Sequence, residues 1–441
     1  MTDTTTERAG APTGLRGGLF GALSGRAFYG WWVLGAATLA MFASGPGQSH
    51  TFSVFLGPIG ADLGAGPGEL ALAYSAATLA AAFALPFMGK LVDRHGPRRM
   101  TLSVALLLGL ACLAFGAVPG LIWLGLGFAA LRFLGQGSLM LNSANLVSQW
   151  FERKRGFAMS LMSLGFAASI AVHPPLGAWL IGEVGWRWAW VILGLSTWAM
   201  LLPVYWLLVH DKPEAVGLEP DGGDEGAAIN LGPQAVGGTD VGLTQAQALR
   251  TPAFYILIFA MMSFAMFMTI LHFFGVEIMV EKGLPPEQAA WIFPIVATVM
   301  AVSMPLVGRL LDRLRTRVAI ALSMLFQSGA LLAATLVAGW GSAIAYAAIF
   351  GVTNAWGMTL FAYVWPRYFG RKHLGSIQGT GQTVLVVGAS IAPPAVGWWA
   401  EASGGFDAPL YASAAYPLIG AVLALAFLKT PEPVRSRLAR D

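Results

Sequence analysis

The chain has 441 residues, of which 56% are hydrophobic and 11% are charged, and its formal net charge is +4. Since a soluble domain has about 25% charged residues, this composition excludes a water-soluble globular protein and predicts an integral membrane protein. The single cysteine, Cys112, excludes a disulfide framework and a metal site built from cysteines. We expect neither a cofactor nor a metal ion.

Twelve mostly apolar runs follow a polar N-terminal segment that has no apolar core, so we expect no cleaved signal peptide. Each run is long enough to cross a bilayer, which takes about 20 helical residues. The pattern predicts an all-α membrane protein with twelve transmembrane helices. The predicted spans, numbered 1 to 12 in chain order, are 29–57, 69–90, 100–118, 120–149, 156–182, 187–209, 253–280, 288–309, 317–338, 341–366, 374–400 and 409–428.

A polar segment separates the first six spans from the last six. It is rich in Gly, Asp, Glu and Pro and has almost no large apolar residues, so it cannot bury a core. We therefore predict a cytoplasmic N-terminal tail (1–27), an N-terminal six-helix bundle (28–210), a cytoplasmic linker (211–250), a C-terminal six-helix bundle (251–429) and a cytoplasmic C-terminal tail (430–441).

The positive charges predict the orientation in the membrane. Most of the 26 Lys and Arg residues fall in the tails, the linker and the loops on the same side as the tails, whereas Arg187 and Lys282 fall on the other side. By the positive-inside rule, both termini are expected in the cytoplasm. The membrane we expect is the bacterial inner membrane.

One motif occurs twice, at equivalent places in the two halves. The segment PFMGKLVDRHGPRR at Pro86–Arg99 returns as PLVGRLLDRLRTR at Pro305–Arg317. In each copy an apolar run ends in a tight polar turn with one Asp and several Arg. Such a duplication predicts two halves of similar design with a substrate path between them.

This motif resembles the loop 2–3 signature of the major facilitator superfamily, which reads roughly G-x-x-x-D-R-x-G-R-R/K. The resemblance implies a transporter rather than an enzyme, with two pseudo-symmetric six-helix bundles and alternating access. It also implies a gating role for the motif residues, although anchoring of the topology is the alternative for the basic ones. The gating candidates are Gly89, Asp93, Arg94 and Arg98 in the first copy and Gly308, Asp312, Arg313 and Arg317 in the second.

Weaker motifs resemble the monocarboxylate transporter and oxalate–formate antiporter branch of that superfamily. They are FYGWW at Phe28–Trp32, RFLGQG at Arg132–Gly137, GWRW at Gly185–Trp188, KPEAVG at Lys212–Gly217 and GRKHLG at Gly370–Gly375. The branch implies a small carboxylate as substrate.

The chain departs from that branch in spans 8 and 11, where such transporters carry basic residues. The segments Trp291–Val307 and Gly375–Trp399 contain neither Lys nor Arg. That known carboxylate site therefore cannot be transferred. Either other basic groups replace it, or the substrate is not a simple carboxylate.

Arg132 is the main candidate for substrate binding, because it falls near the middle of span 4. A charge there costs about 2.5–3.5 kcal/mol on insertion scales, so it should face a wet cavity or a partner. Spans 1, 4, 7 and 10 line the cavity in the superfamily. Anion binding or proton relay is one interpretation, and an Arg that only bonds backbone carbonyls is the other.

Three histidines and one acidic residue also fall within spans. His50 and His272 occupy roughly corresponding places in the two halves, and His173 lies in span 5 beside paired prolines. Because His titrates near physiological pH, we take His50, His272 and Glu277 as proton-coupling candidates. The alternatives are hydrogen-bonded histidines without a functional role and a Glu277 that reaches surface water.

Uncharged polar residues on the expected lining spans complete the predicted site. For any single Asn or Gln, an interhelical hydrogen bond is the favoured alternative. The first six spans have no acidic residue at their middle, so the buried charge is positive and favours an anionic substrate. The substrate-binding candidates are Arg132, His50, His272, Gln48, Asn142, Asn145, Asn354, Tyr363 and Gln382.

The sequence therefore predicts a secondary transporter for a small organic anion, coupled to protons. The expected partners are this anion, a proton and the lipid bilayer, with no nucleic acid, and the chain is expected to be monomeric. Efflux of amphipathic drugs or metabolites by proton antiport is one alternative. A membrane sensor on the same fold is another.

Overall fold

The computed structural model describes residues 14–25, 27–151, 154–223, 243–369 and 374–429, and the regular elements of this part are helical. The all-α prediction is confirmed. Besides the α-helices, a π-helical segment covers Arg132–Leu139, and short 3₁₀ turns cover Gly45–Gly47, Pro213–Val216 and Pro220–Gly223. The α-helices are α1 (Gly14–Ser24), α2 (Gly30–Ala43), α3 (Ser49–Phe52), α4 (Leu56–Leu63), α5 (Pro67–His95), α6 (Pro97–Phe115), α7 (Leu121–Leu131), α8 (Met140–Trp150), α9 (Arg155–Leu207), α10 (Gln245–Ala248), α11 (Pro252–Phe273), α12 (Gly275–Glu281), α13 (Pro286–Ala290), α14 (Ile292–Arg313), α15 (Thr316–Thr335), α16 (Trp340–Phe369), α17 (Leu374–Ser403) and α18 (Asp407–Phe427).

In the described part of the chain, ten helices are long and apolar enough to cross a membrane. Helix α9 supplies two of the predicted spans, because Gly185 adopts φ 77° and ψ 162° and turns the chain in the middle of the helix. Predicted span 1 is not a single long helix. It is divided into α2, a 3₁₀ turn, α3 and α4, none of which crosses a bilayer alone. These two features reconcile the ten helices with the twelve predicted spans.

Local sequence explains where the long helices begin and end. Helix α5 begins with Pro67 at its first position, and the carboxylate of Glu69 accepts the N–H of Gly66 at 3.2 Å. It ends at Gly96, whose φ of 82° suits glycine, and α6 then begins with Pro97. Within a bilayer such helices satisfy their own backbone groups, which is why the spans take this form.

The break in span 1 comes from the sequence Gly45-Pro46-Gly47. Pro46 has no N–H to donate, and the N–H groups of Gly47 and Gln48 bond the carbonyls three residues earlier, as in a 3₁₀ turn. Gly47 also contacts the backbone of span 4, because a Cβ on it would lie 2.8 Å from the Cα of Gly135. Only glycine allows this crossing.

Helices of the two halves of the chain pack against one another. Helix α5 packs on α17, α9 on α13 and α14, and α3 on α11. We call the side that carries the α5–α6 turn the linker face, and the side that carries α4 and α13 the distal face.

The described hydrogen bonds that join the two halves lie toward the distal face. The carboxylate of Glu401 on α17 accepts the N–H of Gly68 on α5 at 2.7 Å. A Cβ on Gly397 would lie 2.9 Å from the Cα of Gly68, so the two helices meet backbone to backbone. Near the ends of spans 1 and 7, Ser53 Oγ accepts the N–H of Val276 at 2.9 Å. We call this group of contacts the distal closure.

Candidate functional site

The candidate site lies where the broken span 1 crosses span 4. Arg132 begins the π-helical segment of span 4 and is only 4% exposed. The wider turn is also visible in the hydrogen bond of 2.7 Å from Ser138 Oγ to the carbonyl of Phe133, five residues earlier. Single π-helical turns are rare and occur frequently at functional sites.

Neutral groups hold the guanidinium of Arg132. Its Nε donates to Thr78 Oγ1 at 3.1 Å, and its Nη1 donates to the carbonyl of Gly47 at 3.2 Å. The break in span 1 supplies this carbonyl, since the N–H of Thr51 bonds Gln48 instead of Gly47. The structure therefore contains the hydrogen bond to a backbone carbonyl that the second interpretation of Arg132 predicts.

No described carboxylate pairs with Arg132. The ion pairs among the described side chains are Arg187 with Asp62 and Lys282 with Asp407, both near the distal face. The guanidinium carbon instead lies 4.8 Å from the ring centroid of Tyr74. A buried positive charge thus meets an aromatic ring, a hydroxyl and a carbonyl but no negative charge.

Tyr74 links the surroundings of Arg132 to the other half of the chain. Its hydroxyl lies 2.5 Å from Ser49 Oγ on α3. Its ring centroid lies 4.3 Å from that of Phe273 at the end of α11. Tyr74 therefore contacts Arg132, the broken span 1 and span 7 at once.

The three histidines of the predicted spans come together. His50 Nε2 lies 3.1 Å from Ser169 Oγ, and Ser169 Oγ lies 3.1 Å from His173 Nδ1. The rings of His50 and His272, from different halves, have centroids 6.2 Å apart. We call His50, His173 and His272 the histidine cluster.

Backbone contacts define the orientation of two of these rings. The imidazole of His173 lies directly over Gly45, where a Cβ would overlap it. His272 Nδ1 lies 2.8 Å from the carbonyl of Met268, which can only accept, so this nitrogen carries a proton. His272 Nε2 is buried and has no hydrogen-bond partner among the described groups.

The predicted polar residues separate into different environments. Gln48 Nε2 donates to Ser44 Oγ at 3.0 Å, next to the break in span 1. Asn142 is fully buried, and neither polar atom of its amide has a partner among the described residues. Asn354 Nδ2 donates to the carbonyl of Phe350 at 2.9 Å, while its Oδ1 is buried without a described partner. Asn145 is half-buried.

Two substrate-binding candidates, Tyr363 and Gln382, lie outside the residues whose side chains are described. Glu277 lies on α12, and no described contact joins it to the histidine cluster. Its Oε2 is buried and unpartnered within the described structure.

The motif residues at the linker face are only partly described, because the side chains of Asp93 and Asp312 are outside the description. Arg98 donates from Nε to the carbonyl of Tyr205 at 3.1 Å and from Nη2 to that of Trp206 at 3.0 Å. It thereby binds the end of α9 in its own half. Among the other gating candidates, Arg94, Arg313 and Arg317 are exposed, and Gly89 and Gly308 have open space where a Cβ would lie. The gating role stays a prediction.

Sequence reasoning missed three residues that build the site, namely Gly47, Thr78 and Ser169. The Gly-Pro-Gly sequence in span 1 was a usable signal for the first, since it predicts a break with free carbonyls. Ser169 lies one helical turn before His173, a spacing that places both on one face. Thr78 had no local signal.

A groove of about 610 Å³ lies elsewhere, between α5 and α7. Alanine and leucine residues line most of it, together with Trp398 from α17 and Glu69 at one end. It contains none of the predicted site residues, so it is not the candidate site.

Comparison with known proteins identifies the family. The model of the Major Facilitator Superfamily matches residues 35–350 and, in a second match, 277–440. The chain is 26% identical over 390 residues to monocarboxylate transporter 3 of Rattus norvegicus, covering 87% of this chain and 76% of that protein. It is 28% identical over 159 residues to a multidrug resistance protein B homolog of Mycobacterium tuberculosis, covering 35% of this chain and 29% of that protein.

A solved structure has the same fold. The crystal structure of a bacterial homolog to the human lysosomal transporter Spinster, in an inward-facing and unoccupied conformation, aligns with a TM-score of 0.71 at 16% identity. The alignment covers 93% of this chain and 98% of that one. Together with the membrane-length helices, these matches confirm the prediction from the loop motif. The chain belongs to the major facilitator superfamily, and it is an integral membrane transporter and not an enzyme.

Proposed function

We propose that the protein moves a small organic anion, recognised through a carboxylate, across the membrane by alternating access together with a proton. One observation carries this proposal. Arg132 is buried and has no carboxylate partner among the described side chains. Because an uncompensated charge at this depth is unfavourable, an anionic substrate that supplies the missing negative charge would bind here.

The geometry of Arg132 leaves donors for such a substrate. A guanidinium has five N–H groups in a planar fork. Nε and Nη1 each have one described neutral acceptor, and Nη2 has none among the described groups. A carboxylate that meets the two Nη atoms would form paired charge-assisted hydrogen bonds.

The coupling proton is assigned to the imidazoles of His50 and His272, with Glu277 as the third candidate. Imidazole changes charge near physiological pH. The two rings lie at the boundary between the halves, where alternating access changes the exposure of side chains to water. Such a position links proton binding to the conformational change.

The orientation is also part of the proposal. The linker face carries most of the positive charge, so we place it and both termini in the cytoplasm of a bacterial cell, with the distal face outside. Since the described hydrogen bonds between the halves lie at the distal closure, we infer an inward-facing state. We further propose a monomer with bundles at 28–210 and 251–429.

Efflux of amphipathic compounds is the second candidate function. Its support is the similarity over about a third of the chain to relatives named as multidrug resistance proteins. The greater coverage by monocarboxylate transporter 3 favours the anion.

Uptake of labelled carboxylates into proteoliposomes, with and without an inward proton gradient, tests the proposal. We expect at least one carboxylate to accumulate only with the gradient. Arg132→Ala should abolish its uptake, and Arg132→Lys should retain a small part, since Lys keeps the charge but loses the fork. Arg250→Ala, an exposed Arg in the linker, is the matched control. Full uptake by Arg132→Ala would refute the site, and export of amphipathic dyes without carboxylate uptake would favour efflux.

A further inference from the structure

We propose that the histidine cluster is a shared proton-binding site that controls the distal closure, so that protons bind to the distal-open state and hold it open. The proposal rests on the proposed function for the use of this proton in transport. The dependence of the closure on pH stands on the geometry alone.

The histidine cluster bridges the two halves of the chain. His50 and His173 belong to spans 1 and 5 and are connected through the hydroxyl of Ser169. His272 belongs to span 7, and its ring faces that of His50 at 6.2 Å. Closing the distal side thus brings imidazoles from both halves together, and opening it separates them.

When the distal side is closed, the surroundings of the histidine cluster disfavour an additional positive charge. The exposed fractions are 2% for His50, 3% for His173 and 7% for His272. The charged and titratable groups that act on His50 are His272, His173 and Arg132. A proton added here has little access to water and is repelled by Arg132.

Among the described side chains, those of the other elements packed against the cluster offer no negative charge that would stabilise an imidazolium. Phe166 on α9 contacts His50, and Phe42 on α2 contacts His173. Phe293 on α14 and Phe350 on α16 contact His272. The acidic residue nearest in sequence to His272 is Glu277, and no described contact joins the two. Within the described surroundings, the cluster therefore meets aromatic rings, the hydroxyl of Ser169, two backbone carbonyls and a positive charge, but no carboxylate.

Thermodynamic linkage gives the direction of the effect. A state that disfavours the protonated imidazole is itself disfavoured at low pH, by the same free energy. Acid on the distal side therefore shifts the population toward the distal-open state, where water solvates the imidazolium. One net proton changes the ratio of open to closed by up to about tenfold per pH unit.

The same logic explains why a proton alone would not be carried. The protonated cluster keeps the distal side open until negative charge arrives near Arg132. A bound carboxylate then offsets the positive charge, and the halves can close around both. The proton and the anion are therefore carried together, because the negative charge of the carboxylate offsets the positive charges of the protonated cluster and Arg132.

Spin labels across the distal side test the proposal in the full-length protein. In a Cys112→Ser background, labels at Ala61→Cys on α4 and Ala402→Cys on α17 lie at exposed positions in different halves. Distance distributions are measured in lipid nanodiscs at about pH 8 and about pH 5, which bracket imidazole titration. We expect one short distance at the higher pH and a second, longer distance at the lower pH.

The histidine variants identify the origin of the change. His50→Gln and His272→Gln should each reduce the slope of the open-to-closed ratio with pH, and the double variant should reduce it further. His173→Gln should also reduce the slope. His95→Gln, an exposed histidine at the linker face, is the matched control and should respond like the parent. Glutamine keeps hydrogen-bonding capacity, and a monodisperse elution profile shows that each variant is folded.

Two results would overturn the proposal. The first is a parent protein whose distances do not change with pH, and the second is a double variant that responds like the parent. An unchanged slope in His173→Gln would remove that residue from the site. Because the labels report closure without substrate, failure of carboxylate uptake leaves these outcomes readable. Addition of a transported carboxylate at about pH 5 should restore the short distance.

Discussion

The crossing of spans 1 and 4 leads to a sharp prediction for Gly47→Ala. The new Cβ would lie 2.8 Å from both the Cα of Gly135 and the amide nitrogen of Gln136, and closer still to the carbonyl of Leu131. Because these are backbone atoms, no side-chain rotation relieves the overlap. Overpacking of this kind costs about 1–3 kcal/mol.

The displaced backbone also affects Arg132. The carbonyl of Gly47 accepts from Nη1 at 3.2 Å, and a hydrogen bond to a charged group contributes about 1.5–3 kcal/mol. The better helix propensity of Ala offsets up to about 1 kcal/mol. We therefore expect a loss of about 3 kcal/mol in folding free energy, together with a lower uptake of the transported anion.

Thermal unfolding in detergent and uptake into proteoliposomes measure these two effects. The matched control is Gly35→Ala in the same span, because Gly35 has open space where the Cβ would lie. That variant should be as stable as the parent or slightly more stable. If Gly47→Ala unfolded at the same temperature as Gly35→Ala and transported normally, the close crossing of spans 1 and 4 would be wrong.

Two further predictions concern the distal closure and the linker face. Glu401→Gln removes the charge from the 2.7 Å contact with Gly68 near the N-terminus of α5, which should weaken the closure by about 1 kcal/mol. In the spin-label assay the open-to-closed ratio should then rise about fivefold, whereas Glu69→Gln, which caps the same helix within its own half, should leave it unchanged. An equal response of both variants would contradict the role of Glu401. Asp93→Asn, in the first loop motif, should slow turnover more than it weakens equilibrium binding, because the motif predicts a gate and not a binding site. Turnover equal to that of the parent would remove this gating role.

Much of the fold could be predicted from the sequence, because lipid forces each span to be a long apolar helix. The turn at Gly185 and the ends of α5 at Gly66 and Gly96 also follow from local residue types. The division of span 1 was not predicted. Its cause is local in part, in Pro46, but the final geometry depends on the contact between Gly47 and Gly135, which are far apart in the chain.

The candidate site was predictable residue by residue but not as an assembly. Burial of Arg132 followed from its place in span 4, and the correspondence of His50 and His272 followed from the similar halves. Their partners did not, since the bonds of Arg132 to Thr78 and of His50 to Ser169 join different spans. Neutral hydroxyl groups within apolar helices carry no pattern that distinguishes a site from ordinary helix packing.

The contact between Gly68 and Gly397 has a consequence for the speed of the transport cycle. The two glycine backbones meet without a side chain between them, but the indole of Trp398 lies against Gly68 and has to move when the helices part. Opening of the distal side therefore requires the loss of two hydrogen bonds, those that Glu401 and Ser53 accept, together with this movement. Because the acceptor of one of these bonds is the carboxylate of Glu401, a change in its charge is expected to change the rate at which the two helices separate.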